Sequence, residues 1–390
     1  MKAAIILQPK QIEVQELPLP ALAPGELLVR VMASGICGTD VHIFQGEYLG
    51  SYPIIPGHEF AGVIEQAGSA VTRFKIGDRV AVEPNLPCDN CVNCLNNRHN
   101  FCLNWQAVGV TRPGGMAQYV NVPEKAIFDI GDLPFEQGAF MEPLSCVLHG
   151  LERLDLAVAS KVLLLGAGPI GLLLLQGLRL KGAAEVVVVD KNPDRAGLAQ
   201  SLGADRSLTN LDEIERDAFD AVVDATGAVA VMGRTLDFAR PGGKILLFGV
   251  PPAGQTMTVE AFPIFHKGLT ILSSFTSLRN SYQALGLLKS RQVSVEKLIS
   301  HRLPLEELQR GIETIEKGSE PVYKVMMLPN GYTIDPRTGR SARSPFFLYG
   351  YKIVMPRPQR TSRLLVKMDM AVLKERSRVF RTAFDLQSHV

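Results

Sequence analysis

SKVLLLGAGPIGLLLLQGLRLKGAAEVVVVDKN, residues 160–192, decides the fold. It reads as a buried strand, the turn GAGPIG (Gly166, Gly168, Pro169, Ile170, Gly171), a helix, and a second all-apolar strand closing on Asp190. A glycine-rich turn alone says little. Set between strand and helix, with an acidic residue about twenty positions on, it predicts a dinucleotide-binding unit. Gly166 permits the tight turn, Gly168 lets the backbone approach a pyrophosphate, and Gly171 allows close packing of helix on strand. Asp190 would accept from the ribose hydroxyls and repel a 2′-phosphate, which favours NAD over NADP. Lys191 and Arg195 pull the other way, although Arg195 could equally stack on adenine or face solvent.

Downstream the βα rhythm continues. FDAVVDATGA is a strand ending in a small-residue turn, MGRTLDFARPGG a helix with a glycine stop, and KILLFGV and LTILSSF are further strands. The expected architecture is α/β with a doubly wound parallel sheet, and Gly249 and Val250 would end their strand where a nicotinamide lies. SYQALGLLKSRQV is a helix, and the segment up to PVYKVMML returns through strand and amphipathic helix to a last strand.

Upstream the texture is different. KAAIIL, QIEVQEL, ELLVRV, FAGVIEQAGSAV, GDRVAVEP and GGMAQYVNVP are short alternating runs with turn signals about every ten residues. They predict a barrel-like β domain over the first 130 or so residues. Its loops hold Cys37, His42, His58 and Glu59, a donor set suited to zinc, against the plainer reading of a core thiol with loop histidines. Cys88, Cys91, Cys94 and Cys102 follow, spaced by two, two and seven residues. Four thiolates fill a tetrahedral shell, so this is a structural zinc site; a disulfide pair, unpaired thiols and an iron–sulfur cluster are the other readings. FEQGAFMEPLSCVLHGLERL opens a helix with Glu142 and Cys146, read on their own as a satisfied structural glutamate and a core thiol.

Length and composition bound the rest. A chain of 390 residues, 46% apolar and 21% charged with 35 glycines and net charge +2, fits a globular α/β protein of two or three units with no demand for nucleic acid. MKAAIILQPK lacks the features of a signal peptide and no 18-residue apolar span occurs, so a cytoplasmic protein without a membrane partner is expected. In that compartment thiols stay reduced and clustered cysteines bind metal. Residues 331–390 carry 12 Lys and Arg against 4 Asp and Glu. They read as a basic, weakly ordered extension, or as an amphipathic helix for an acidic partner or anionic surface.

GICGTDVH (35–42), GHEFAG (57–62), the four-cysteine lobe, GGMAQY (114–119), GAGPIG (166–171) and PVYKV (321–325) stand in the order of the zinc-dependent medium-chain dehydrogenases, which the chain resembles over residues 1–328. CGTDVH, GHE and MEPLS are most similar to the polyol branch, of sorbitol and arabinitol type. The resemblance implies a GroES-like catalytic domain (1–145 and 286–330), a Rossmann domain (146–285), and an unassigned extension (331–390). It implies catalytic zinc on Cys37, His58 and Glu59, with Glu142 able to enter the metal shell, and a proton route through Thr39 and His42. An intact cysteine lobe favours a microbial-type member, since some animal sorbitol dehydrogenases lack it. The implied activity is hydride transfer from a sugar alcohol to NAD by a homodimer or homotetramer joined through LTILSSF. L-Threonine 3-dehydrogenase is the nearer alternative and a non-catalytic dinucleotide-binding protein the more distant one.

Overall fold

In the computed structural model, which describes residues 1–47, 51–318 and 322–331, the chain opens with a hairpin, β1 (Lys2–Gln8) against β2 (Gln11–Glu16). Then come β3 (Glu26–Gly35), α1 (Gly38–Gln45), β4 (Glu59–Ala67), β5 (Arg79–Val82) and the short β6 (Asn85–Leu86). The cysteine lobe with α2 (Val92–Leu95), then β7 (Gln106–Ala107), β8 (Tyr119–Pro123) and β9 (Ile127–Asp129) complete this part. β3 is apolar on both faces because it is central: it pairs antiparallel with β4 and β8.

Two helices lead away, α3 (Phe135–Gly138) and α4 (Met141–Leu154). The parallel sheet follows: β10 (Lys161–Leu165), α5 (Pro169–Leu180), β11 (Glu185–Val189), α6 (Pro193–Ser201), β12 (Arg206–Leu208), β13 (Phe219–Asp224), α7 (Val229–Phe238), β14 (Ala239–Leu247), α8 (Ala261–Lys267) and β15 (Thr270–Ser273). Its order, β12-β11-β10-β13-β14-β15, is that of a doubly wound dinucleotide-binding sheet. KVLLL and EVVVV read as unbroken apolar runs because helices cover both faces. The chain then returns through α9 (Ser281–Lys289), β16 (Ile299–Leu303), α10 (Leu308–Lys317) and β17 (Lys324–Met327); β17 pairs with both β16 and β3, closing a seven-stranded sheet.

One apolar core links the two sheets. Leu144, Val147 and Leu151 of α4 pack with Val162 and Leu164 of β10 and, on the other side, with Ala33, Ala61 and Ala81.

Two local expectations are corrected. The helix predicted through ARPGG stops at Phe238, and residues 239–243 already belong to β14, around a register shift between Phe219 and Ala221 of β13. Pro241 cannot donate to a helical ladder and pushes Arg240 towards extended backbone. CGTDVH is not a loop: Cys37 caps α1, its N–H donating to Asp40 Oδ2 at 2.8 Å, so Thr39 and His42 sit on a helix. The basic stretch lies outside the described residues beyond Gly331.

Candidate active site and metal centres

A cavity of about 360 Å³ lies where α1, the start of β4 and α4 meet the carboxyl ends of β10, β13 and β14. Cys37, Thr39, His42, His58, Glu59, Glu142, Ile170, Gly249 and Val250 all line it, so the sequence's two separate sets converge on one space.

Ligand atoms of Cys37, His58 and Glu59 lie within 4.8 Å of one another. Thiolate sulfur, imidazole nitrogen and carboxylate oxygen at that spacing fit a zinc ion with an open position. His58 is buried, and its Nδ1 has no hydrogen-bond partner but faces Asp40 Oδ1 at 3.6 Å. A carboxylate behind a histidine fixes the ring for metal binding. Asp40 is itself fully buried and also accepts from Gly57 N at 3.1 Å. Burial lowers the His58 pKa, yet the charges of Asp40 and Cys37 prevail and hold it well above its usual value, so a proton and a metal compete for this ring.

Glu59 is held from behind by Lys324, whose Nζ donates to Oε2 at 2.6 Å, to Oε1 at 2.9 Å and to Ile36 O at 3.1 Å. Burial would discharge Lys324, but the Glu59 carboxylate beside it keeps its pKa above the usual lysine value. Gly35 makes room for this pair, since a Cβ there would lie 2.5 Å from Glu59 Oε2.

Glu142 stands on α4, outside the three-residue cluster, and accepts from the Cys146 thiol at 3.3 Å. Burial pushes its pKa up to about 7, with Glu59 and Glu83 adding to the rise and His58 opposing it. Burial likewise raises the Cys146 thiol. Thr39 and His42, three residues apart on α1, share a face, and His42 Nδ1 lies 2.9 Å from Glu47 Oε2 towards the surface.

The four lobe cysteines also cluster within 4.8 Å, with Cys91 Sγ 3.5 Å from Cys94 Sγ and 3.9 Å from Cys102 Sγ. These distances match the ~3.8 Å edge of a tetrahedron of zinc–sulfur bonds and rule out a disulfide among those pairs. Backbone N–H groups of Cys88 and Leu103 point at the sulfurs, as they would towards thiolates.

At the cofactor end, Gly166 has φ 99°, and a Cβ on Gly171 would lie 2.0 Å from Gly166 O, whereas one on Gly168 would enter open space. That open cradle at the start of α5 fits a pyrophosphate. Asp190 Oδ2 accepts from Ala167 N at 2.7 Å and Oδ1 from Asn192 N at 2.9 Å, tying the end of β11 to the turn. Arg195 turns its Nη2 to Val322 O at 2.8 Å.

Sequence reasoning missed Asp40, Lys324 and Asp224. Asp40 sits inside the quoted CGTDVH, and Lys324 is the one charge in the apolar run VYKVMML, so both left a signal. Asp224 is fully buried and accepts from Thr226 N, Thr226 Oγ1 and Gly227 N, while its carbonyl takes Phe248 N and Gly249 N. It thereby shapes both turns beside Gly249.

Two family models match the chain: the alcohol dehydrogenase GroES-like domain over residues 23–132 and the zinc-binding dehydrogenase domain over residues 169–290. The chain is similar to D-altritol 5-dehydrogenase of Agrobacterium fabrum, 40% identical over 75% of this chain and 89% of that protein. D-Arabinitol dehydrogenase 1 of Uromyces fabae is 32% identical over 85% and 97%, and L-threonine 3-dehydrogenase of Rhizobium rhizogenes 32% over 82% and 96%. Among solved structures, a chain described as a zinc-binding dehydrogenase of Sinorhizobium meliloti, bound to NADP, superposes with TM-score 0.79 at 33% identity, covering 84% of this chain and 99% of that one. An alcohol dehydrogenase of Escherichia coli CFT073 complexed with NADH gives 0.78 at 28%, over 84% and 99%. Galactitol-1-phosphate dehydrogenase of Escherichia coli gives 0.78 at 29%, over 84% and 99%.

Proposed function

Because the chain belongs to the zinc-dependent medium-chain dehydrogenase family, we propose that it oxidises a secondary alcohol carbon of a sugar alcohol to a ketone, passing hydride to C4 of a nicotinamide cofactor. The observation that carries this reading is the convergence of the Cys37, His58 and Glu59 donors with Ile170, Gly249 and Val250 in one cavity. The names of the relatives support a polyol as the substrate class. L-Threonine stays as the second reading, on a relative of 32% identity.

In this reading Cys37, His58 and Glu59 hold one zinc ion and Cys88, Cys91, Cys94 and Cys102 a second. The first supplies a Lewis acid that lowers the pKa of the reacting hydroxyl. Thr39 takes the hydroxyl proton and His42 hands it to solvent, while Glu142 orients a substrate hydroxyl. The turns ending at Gly249 and Val250 hold the nicotinamide face-on, and the turn Gly166 to Gly171 holds the pyrophosphate through its backbone N–H groups. Asp190 selects NAD over NADP by accepting from the ribose diol. Arg195, committed to Val322 O, would have to leave that bond to stack on adenine.

We further propose a division into a catalytic part (1–145 and 286–330) and a cofactor part (146–285), and a dimer or tetramer built on β15, the edge of the parallel sheet. A cytoplasmic setting suits the six free cysteines. Among the described residues no helix is long and apolar enough to cross a membrane.

The test is a panel of sorbitol, xylitol, arabinitol, galactitol, a phosphorylated pentitol and threonine, each with NAD and NADP. At least one polyol should be oxidised to its ketose, and activity should vanish on removal of metal; turnover by a folded, metal-free preparation would sink the scheme.

A further inference from the structure

The charge balance of the cavity sets which polyol derivatives can enter it. Among the described residues, none of the side chains lining it is Lys or Arg, whereas Glu59 and Glu142 are both there and buried. A zinc ion held by the Cys37 thiolate and the Glu59 carboxylate, with Lys324 paired to the same carboxylate, would leave about one positive charge, and that charge lies at the reacting hydroxyl rather than along the rest of the wall. Two cations close in the chain or in contact with lining residues are committed: Lys324 spends its donors on Glu59 and Ile36 O, and Arg279, three residues after Thr276, has its Nη2 2.6 Å from His99 Nε2.

The rest of the wall is neutral. Trp105 and Phe275 form an aromatic side, their rings 6.3 Å apart. The indole is pinned, since Trp105 Nε1 donates to Asn85 Oδ1 at 3.0 Å and Asn85 Nδ2 donates in turn to Glu83 Oε1 at 2.6 Å. Glu83 Oε2 also takes the hydroxyls of Ser277 and Ser281, so its carboxylate is saturated and offers nothing to a substrate. The wall offers a ligand the hydroxyls of Thr39, Ser274 and Thr276 beside a flat apolar ring, which suits the C–H and O–H faces of an uncharged polyol.

Resting on the polyol reading above, we infer that the cavity takes an uncharged sugar alcohol and rejects substrates carrying a phosphate or a carboxylate. Phosphorylated polyols, aldonates and amino acids would each bring a desolvated anion against the neutral wall, where no Lys or Arg of the described residues stands to receive it. The inference and the threonine reading exclude each other, and the carboxylate arm of the test decides between them.

The test uses the full metal-loaded chain with NAD and matched pairs: galactitol with galactitol 1-phosphate, arabinitol with arabinitol 5-phosphate, and gluconate and threonine as carboxylates. Trp105 is the single tryptophan, so its fluorescence reports occupancy of the cavity without turnover. Each ester and carboxylate should show kcat/KM lower than the parent polyol by about a hundredfold or more, and should leave the fluorescence unchanged at concentrations where the polyol alters it. An ester turned over within tenfold of its parent overturns the inference and leaves the polyol reading standing. If no polyol reacts or alters the fluorescence while a simple secondary alcohol is oxidised, the polyol reading falls and the inference with it. Thr276→Lys supplies a cation from a half-buried wall position whose Oγ1 donates to the neighbouring Ser277 O. It should narrow the ester-to-polyol ratio by about tenfold, and an unchanged ratio counts against charge as the cause.

Discussion

Lys324 Nζ lies 2.6 Å from Glu59 Oε2 and 2.9 Å from Oε1, a buried ion pair directly behind the proposed metal ligands. Removing one partner of such a pair leaves an unpaired charge in the interior, at a cost of about 3–5 kcal/mol. Lys324→Met should therefore lower the unfolding midpoint sharply in chelator and much less in excess zinc, because a bound metal then neutralises Glu59. Equal losses under both conditions would show that the lysine does not share Glu59 with a metal.

In the lobe, Cys102 Sγ is buried and already accepts from Cys88 N, so the four sulfurs form a closed set. Cys102→Ala should bring the zinc content from two ions per chain to one and destabilise the fold, with the glycine-rich turn still able to bind the dinucleotide. Retention of two ions would refute the assignment.

Glu142 gives a pH dependence of defined sign. Its folded pKa, about 7, lies above the ordinary 4.5, so the folded chain keeps a proton there that the unfolded chain releases. Its contribution is intact below pH 4.5 and is lost as the pH rises through 7, amounting to about 3 kcal/mol at most. In metal-free chain, urea unfolding at pH 5 and pH 8 should show this loss in the native sequence and not in Glu142→Gln; parallel behaviour of the two would remove the basis for a protonated Glu142.

Thr39 shares a helix face with His42, and a valine there keeps the shape while deleting the hydroxyl. Thr39→Val should reduce kcat by about 100-fold with little change in KM, and Thr39→Ser should restore most of it. A normal kcat in the valine variant would take Thr39 out of the proton route.

Asp190 bonds the turn through Ala167 N and is also the proposed acceptor for the ribose hydroxyls, so two readouts separate these roles. Asp190→Gly should shift the NAD to NADP ratio of kcat/KM by about tenfold or more towards NADP. A fall in stability with the ratio unchanged would leave it a purely structural residue.

The glycine-rich turn, the cysteine lobe and the alternation of strand and helix were legible because each is local. A strand-turn-helix needs glycines at fixed offsets, and three of the four lobe cysteines lie within seven residues of one another. The helix drawn through ARPGG misread Pro241 and its glycines, which belong to an irregular strand. The metal donors were readable as residue types, but the helix that Cys37 caps was not, because its cap depends on Asp40 turning back onto the Cys37 N–H.

By itself the sequence determined the dinucleotide-binding sheet, the grouping of the four lobe cysteines and the residue types of the other donor set, since propensity, glycine geometry and residue spacing act over short stretches. Only the tertiary structure decided that Lys324 stands behind Glu59, that Asp40 backs His58, and that no Lys or Arg among the described residues faces the cavity. Glu59 and Lys324 are 265 residues apart, and β17 brings them together by pairing with β3. Charge pairing and cavity lining depend on distances of a few ångströms between such remote positions, and the path of the folded chain alone sets those distances.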